Sequence, residues 1–330
     1  MAPSITHKGI IVKEAIRRFN HLPSQTIARH VLATHGDLWE NNLEIIRTSV
    51  RKYRGLQGKR SRTKTADKSL YLTGNEKIEM PATWRQKRTS YKLPPGTWLV
   101  MSDVHVPFHE KAPIEAAIQA GQAEKVDGIF LNGDIMDCAA VSYWPTVRRN
   151  FNAEVEATID FLDFLRGEFP KQKIVYKPGN HEYRLPRYFL SKAPDLIGTP
   201  LAAMETVMGF EQRGIDFLDY FQIVYAGKLP VLHGHEVRMI ARTVNPARGL
   251  FLRNKMFSLC GHCHTTSEHT SKNLEGTLMT CWSVGCLCDL NPDYNPYGND
   301  WNWGFAIINI EKNGQFEVVN RRVLPNGKVV

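Results

Sequence analysis

No uninterrupted apolar run in the 330 residues is long enough to cross a bilayer. The first residues, MAPSITHKGIIVKEAIRRF, lack the hydrophobic stretch of an export signal. The expectation is a cytoplasmic chain with no membrane partner. Cysteine is sparse: of six, at 138, 260, 263, 281, 286 and 288, five fall in the last third. Without export, reduced thiols are expected rather than a disulfide framework. There is no internal repeat and no low-complexity tract. Acidic residues are scarce in one place. Residues 1–98 hold 19 Lys and Arg against 7 Asp and Glu, a net of +12, whereas the rest holds 23 basic and 26 acidic residues, a net of −3. A concentrated basic segment is the electrostatic footprint of polyanion binding, with a solvated, solubilising face as the plain alternative.

Local grammar divides the chain into residues 1–55, a helical module; 56–96, a basic linker ending in Pro94-Pro95-Gly96; and 97–330, a larger α/β domain. In the module, KGIIVKEAIRRF and SQTIARHVLATHG have helical apolar spacing, with Ser24 the expected cap of the second. A third helix is expected through LWENNLEIIRTSVRKYRG, stopped by Gly55. Three short helices with a tight turn resemble a helix-turn-helix, a pattern shared with small bundles that bind no nucleic acid. Arg47, Arg51, Lys52, Arg54, Lys59, Arg60, Arg62 and Lys64 follow one another with no carboxylate between them, which suits phosphate contacts.

From Thr97 strands and helices alternate: TWLVMSD, PIEAAIQAGQAEK, DGIFLNGD, FNAEVEATIDFLDFLRGEF, KIVYKPGN. That alternation predicts a largely parallel sheet. Further strands follow at QIVYAG, KLPVLHG, MFSLCGH and GTLMTCWSVG, then a hairpin turning at Asn313-Gly314. Asp103 and His105, Asp134, Asn180 and His181, His233, and His262 and His264 each lie just past the carboxyl end of a strand. This is the edge of an open α/β sheet where ligands bind. Two carboxylates, an amide and several imidazoles suit Mn, Fe, Zn, Ni or Mg rather than a tetrathiolate zinc. The set exceeds the needs of one ion, and paired ions about 3.5–4 Å apart suit in-line displacement at phosphorus: they generate a hydroxide nucleophile and neutralise phosphate charge. His7, His21, His30, His35, His109 and His269 read as ordinary surface or hydrogen-bonded histidines. Cys260 and Cys263 could be half of a zinc knuckle, and Cys281, Cys286 and Cys288 a further metal group; both are set below the carboxylate–imidazole reading.

SDVHVPFHE, LNGDIMD, PGNHE, VLHGHE and CGHCH resemble, in order, the five motifs of the calcineurin-like metallophosphoesterases, over about residues 97–290. The resemblance implies an α/β/β/α sandwich with a dinuclear metal centre, manganese being the first expectation. It also implies that Asp103, His105, Asp134 and His264 hold one metal, and that Asp134, as the bridge, with Asn180, His233 and His262 holds the other. Asn180 would face the substrate phosphate and His181 the leaving oxygen. The pattern selects His233 over His235, which would contact a ligand or face substrate, and makes Asp137 and Glu182 carboxylates that orient the ligands. The chain departs from the phosphoprotein phosphatases, reading GDIMDCA and PGNHE where they show GDxVDRG and an arginine before GNHE. Arg148, Arg149, Arg184 and Arg187 flank the motifs and could clamp a phosphodiester or form helix-surface ion pairs. The layout also resembles, more loosely, metallophosphoesterases of phage and prophage genomes. The leading expectation is a metal-dependent phosphodiesterase or nuclease, with DNA the favoured partner and host cytoplasm the setting if phage-encoded. The alternatives are a phosphatase of protein or small-molecule monoesters and a DNA-binding or assembly protein with a vestigial metal site.

Overall fold

The computed structural model describes residues 6–65, 82–83, 89–143, 150–237, 244–293, 295 and 298–330. The chain divides into two compact units, Met1–Arg85 and Gln86–Val330.

The first unit contains α1 (His7–Arg18), α2 (Ser24–His35) and α3 (Leu43–Tyr53). Val12, Ile16, Ile27, Val31, Ile46 and Val50 recur at helical spacing and meet in one small core closed by Trp39. Two boundaries differ from expectation. Ser24 lies inside α2, Pro23 holds the cap position, and the Ser24 hydroxyl instead accepts from Arg54 at 3.1 Å. The third helix begins late. Gly36–Trp39 is a 3-10 turn, Glu40 and Asn41 take positive φ, and the Asn42 side chain caps α3 through the amides of Glu44 and Ile45. Gly55, at φ 71°, ends the helix as expected.

The second unit is a four-layer sandwich. One sheet takes the order β12-β11-β2-β3-β4-β5, formed by Phe316–Arg322, Gly304–Ile310, Gly96–Met101, Gly128–Asn132, Lys173–Lys177 and Ile215–Phe217. The other runs β1-β6-β7-β8-β10-β9, formed by Ser90–Leu93, Ile223–Ala226, Leu229–Leu232, Ser258–Cys260, Leu278–Ser283 and Ser267–Lys272. The run β2-β3-β4-β5 is parallel, as the alternating grammar predicts, and β11-β12 is the antiparallel hairpin turning at Asn313-Gly314. Residues 90–93, expected in the linker, are instead a strand: β1 pairs in parallel with β6, Ser90 opposite Ile223.

Strand alternation sorts side chains between layers. Trp98, Val100, Phe130, Val175, Leu259, Trp282, Ala306 and Ile308 fill the space between the sheets. Their neighbours Leu99, Met101, Ile129, Leu131, Ile174, Tyr176 and Phe305 face the opposite way. There they form one core with residues of α4 (Lys111–Ala123), α5 (Phe151–Glu168), α6 (Arg184–Lys192) and α7 (Met204–Met208). On the far side α8 (Pro246–Asn254) packs Ala247, Leu250 and Phe251 against Leu232, Cys260 and Cys281. Cys260 and Cys281 are therefore core hydrophobes, as expected of Cys260. The parallel strands β2, β3, β4, β7 and β8 direct their carboxyl ends to the loops that carry the motifs.

Candidate metal centre

β2 leads to Asp103 and His105, β3 to Asp134, β4 to Asn180 and His181, β7 to His233, and β8 to His262 and His264. Asp103, His105, Asp134, His262 and His264 adopt φ between 53° and 64°. This left-handed turn costs a non-glycine residue about 1–3 kcal/mol and persists only where the surroundings enforce it. Here it turns the chain sharply off the strand end. Glycine lets the loops cross. A Cβ at Gly179 would collide with the Asp134 carboxylate and backbone amide, and one at Gly261 with Ser102 Oγ and Asp103 Oδ2.

The structure brings all seven expected ligands into one crevice. Asp103 Oδ1 lies 3.1 Å from His264 Nε2, 3.9 Å from His105 Nε2 and 4.0 Å from His233 Nε2. Asp134 Oδ2 lies 3.2 Å from His233 Nε2 and 4.0 Å from His105 Nε2, and the Asn180 amide oxygen is 3.2 Å from His233 Nε2. Ligand atoms of Asp134, His233 and His262 lie within 4.8 Å of one another, and so do those of Asp134, His105 and His181. Asp134 belongs to both of these groups, the place a bridging carboxylate would occupy, and a third group among the described residues joins His105, His264 and Cys288.

Outer contacts aim these rings. His233 Nδ1 donates to the Asn132 carbonyl at 2.7 Å, His105 Nδ1 meets Asp137 Oδ2 at 2.9 Å, and the thiol of Cys288 lies 4.0 Å from His264 Nδ1. Each ring thus turns Nε2 inward. The fit to cations follows. His105 Nε2 faces His264 Nε2 at 3.2 Å, His233 Nε2 faces an amide oxygen, and the buried Asp103 Oδ1 faces the Nε2 atoms of His264, His105 and His233. Lone pairs at such separations need a positive charge between them, either a proton or a metal ion.

The electrostatics agree. Burial would lower His233, but the carboxylates of Asp134 and Asp103 outweigh it and push the imidazole up to about 10. His264 is raised well above its ordinary value despite burial, chiefly by Asp103. Asp103 and Asp134 are held low against their own burial, Asp103 by His264 and His233, and Asp134 chiefly by His233. His262 is pushed down to about 4 by burial and the charge of His233. The site stores carboxylate charge that metal ions would replace protons in balancing.

The remaining candidates separate. Asp137 orients both His105 and His181, with Oδ2 2.9 Å and 3.2 Å from their Nδ1 atoms. Glu182, fully buried, accepts from the amides of Asp134, Ile135, Met136 and Gly179 and from the Tyr176 hydroxyl, so it locks the two central loops together. His181 donates to the Asp137 carbonyl at 3.0 Å and its Nε2 accepts from Arg184 at 2.9 Å, so both nitrogens are occupied. His235 sits beside His233, ring centroids 5.4 Å apart, outside both carboxylate groups. Arg54 leaves the phosphate-contacting set, because its guanidinium is spent on the carbonyls of Leu22 and Asn20 and on Ser24. Arg47 pairs with Glu44 at 2.8 Å, while Arg51, Lys52, Lys59, Arg60 and Arg62 are exposed. Arg148, Arg149 and the side chain of Lys64 lie outside the described residues.

Sequence reasoning missed Glu236 and Lys177. Glu236 accepts from the amides of His233 at 3.1 Å and Gly234 at 2.7 Å and pairs with the fully buried Lys177 ammonium, which ends β4. The acid in VLHGHE was visible, but its lysine partner was not. Cys288 was weighed only as part of a separate metal group, whereas its thiol abuts His264. Trp301, also unassigned, lies over the same ring with centroids 4.1 Å apart.

A four-layer sandwich with a carboxylate–imidazole crevice at its parallel strand ends defines a hydrolase scaffold built around divalent metals. Residues 97–284 match the family model for calcineurin-like phosphoesterases, and the chain belongs to that family. Curated relatives include the gene 54 proteins of Mycobacterium phages L5 and D29. They are 25% and 26% identical over 228 and 230 residues, spanning 64% and 65% of this chain and 88% and 89% of theirs. Matching solved structures include Vacuolar Protein Sorting 29 from Cryptosporidium parvum (14% identity, TM-score 0.37, 72% of this chain and 96% of that one). Another is a dimetal phosphatase from Danio rerio (14% identity, TM-score 0.33, 69% of this chain and 96% of that one). Among the described residues no helix is long and apolar enough to cross a membrane.

Proposed function

We propose that this phosphoesterase hydrolyses phosphodiester bonds of nucleic acid, DNA first, with the basic amino-terminal module retaining the polymer and host cytoplasm as its setting. The sharing of Asp134 between two ligand groups carries the chemical half of the reading. The net +12 of residues 1–98 supports the substrate half. Asp103, His105, Asp134 and His264 would hold one divalent ion and Asp134, Asn180, His233 and His262 the other, with manganese first among Mn, Fe, Zn, Ni and Mg. When bound, the pair supplies Lewis-acid activation of water and neutralisation of phosphate charge. The chain's own residues do the rest. Asn180 presents its amide toward the phosphoryl group, Glu182 keeps the Asp134 and Asn180 loops in register, and His181 faces the departing oxygen with Asp137 fixing its ring.

The test is a panel of single- and double-stranded DNA, RNA, an aryl phosphodiester and an aryl phosphomonoester, assayed with Mn²⁺ against Asp134→Asn. Cleavage of polynucleotide and diester by the wild-type chain, lost together with metal content in the variant, is the expected result. Turnover of monoesters alone would replace the nuclease reading with a phosphatase. Retention of DNA with no hydrolysis of any ester would leave a binding protein.

A further inference from the structure

We infer that the buried pair of Lys177 and Glu236 positions one of the two metal-ligand sets: it fixes the loops of Asn180, His233 and His262, and so sets the affinity of the ion they would hold with Asp134. This rests on the dinuclear reading above but not on the choice of nucleic acid. Lys177 is the last residue of β4, and only Pro178 and Gly179 separate it from Asn180. Its ammonium is fully buried and pairs with Glu236, three residues beyond His233. Glu236 in turn accepts from the His233 amide through Oε1 at 3.1 Å and from the Gly234 amide through Oε2 at 2.7 Å. One carboxylate thus ties the backbone of the loop after β7 to the end of β4.

The other fixings of that loop show what this one adds. Asn132, at the end of β3, donates through Nδ2 to the Leu232 carbonyl at 2.8 Å, and its own carbonyl accepts from His233 Nδ1. The ring of His233 is aimed from β3, and its backbone is held from β4. Gly234 then passes so close to the following motif that a Cβ there would lie 2.7 Å from His262 Cβ. A shift of the His233 backbone would therefore push on His262. The second set has separate supports: Asp103 accepts from Ser102 Oγ at 2.6 Å, His105 meets Asp137, and His264 lies beside the Cys288 thiol. Among the described residues no hydrogen bond or ion pair joins Ser102, Asp137 or Cys288 to Lys177 or Glu236. As an ion pair, Lys177 and Glu236 together carry no net charge, so they act on a bound cation through ligand position.

Single substitutions would mix position with charge, since loss of Lys177 leaves a carboxylate that attracts cations and loss of Glu236 leaves an ammonium that repels them. The experiment therefore uses two variants of the full chain from which both charges are gone, Lys177→Met with Glu236→Leu and Lys177→Met with Glu236→Gln. The second keeps a side-chain oxygen for one of the two amides. Calorimetric titration of the metal-free chain with Mn²⁺ gives the affinity of each ion, and His262→Ala and His264→Ala assign each binding event to its ligand set. The leucine variant should lose about ten- to a hundredfold in affinity at the His233 set and less than about threefold at the other. The glutamine variant should fall between the leucine variant and wild type at the His233 set. Equal losses at the two sets would make the pair general scaffolding, and unchanged affinity at both would leave it without effect on the metals; either result overturns the assignment. If the leucine variant fails to fold, the same comparison in the glutamine variant decides. A wild-type chain that binds fewer than two ions would overturn the dinuclear reading itself.

Discussion

His233 and Lys177 show how single residues carry the energetics of the centre. The metal-free His233 holds a proton up to about 10 because Asp134 and Asp103 face it, yet a metal ligand must be neutral. Loading therefore expels protons, and affinity should rise with pH throughout the range below about 10 in which His233 is charged. Calorimetry of Mn²⁺ binding at pH 8 in buffers of different ionisation heat should return release of about one to two protons per chain. Zero release would mean that the imidazoles are already neutral in the metal-free protein. Lys177 is a different case. Its ammonium is fully buried against Glu236, so removing one partner strands the other. Lys177→Met should cost about 3–5 kcal/mol in chemical denaturation, and Lys177→Met with Glu236→Leu should recover part of that loss. Equal stability of the single variant and wild type would show that the pair is solvated.

At the scale of elements, β2, β3 and β4 were legible because each is a short apolar run that ends in polar residues, a pattern that a buried parallel strand produces by itself. Eight candidate ligands were legible for the same reason, since strand ends converge whatever the loops do. β1 was not, because SYKL has one buried residue and becomes a strand only by pairing with β6, far away in the chain. Local propensity holds no record of a partner. Nor did it reveal that Arg54 would be consumed by the carbonyls of Asn20 and Leu22 in the connection between α1 and α2, since a guanidinium reads as a surface charge until its acceptors fold around it. The Gly179 crossing makes element placement testable. Gly179→Ala should displace Asp134, which the added methyl would strike, and so lower metal occupancy more than unfolding temperature. Normal occupancy by elemental analysis would show that the loops can part without disturbing the ligands.

For the whole molecule the open quantity is how far the basic unit governs substrate choice, since metal chemistry alone does not select a polymer. Its cations are not equivalent. Arg54 is structural and Arg47 is partly neutralised by Glu44, which leaves Arg51, Lys52, Lys59, Arg60 and Arg62 exposed on the end of α3 and the residues after it. Contacts of this kind release counterions, so each phosphate neutralised adds about 0.9 to the slope of log affinity against log salt on duplex DNA. Replacing those five with glutamine in the full chain should weaken duplex binding at low salt and flatten that slope by up to about 4, because the lost term is electrostatic. Hydrolysis of a small aryl ester should keep its kcat/KM, since such a substrate needs only the crevice of the second unit. Fluorescence anisotropy across a salt series, paired with the ester assay, separates the two. If the slope stays at the wild-type value, these helices do not hold the polymer, and the unit built on the core of Ile46, Val50 and Trp39 must serve a purpose other than nucleic-acid retention.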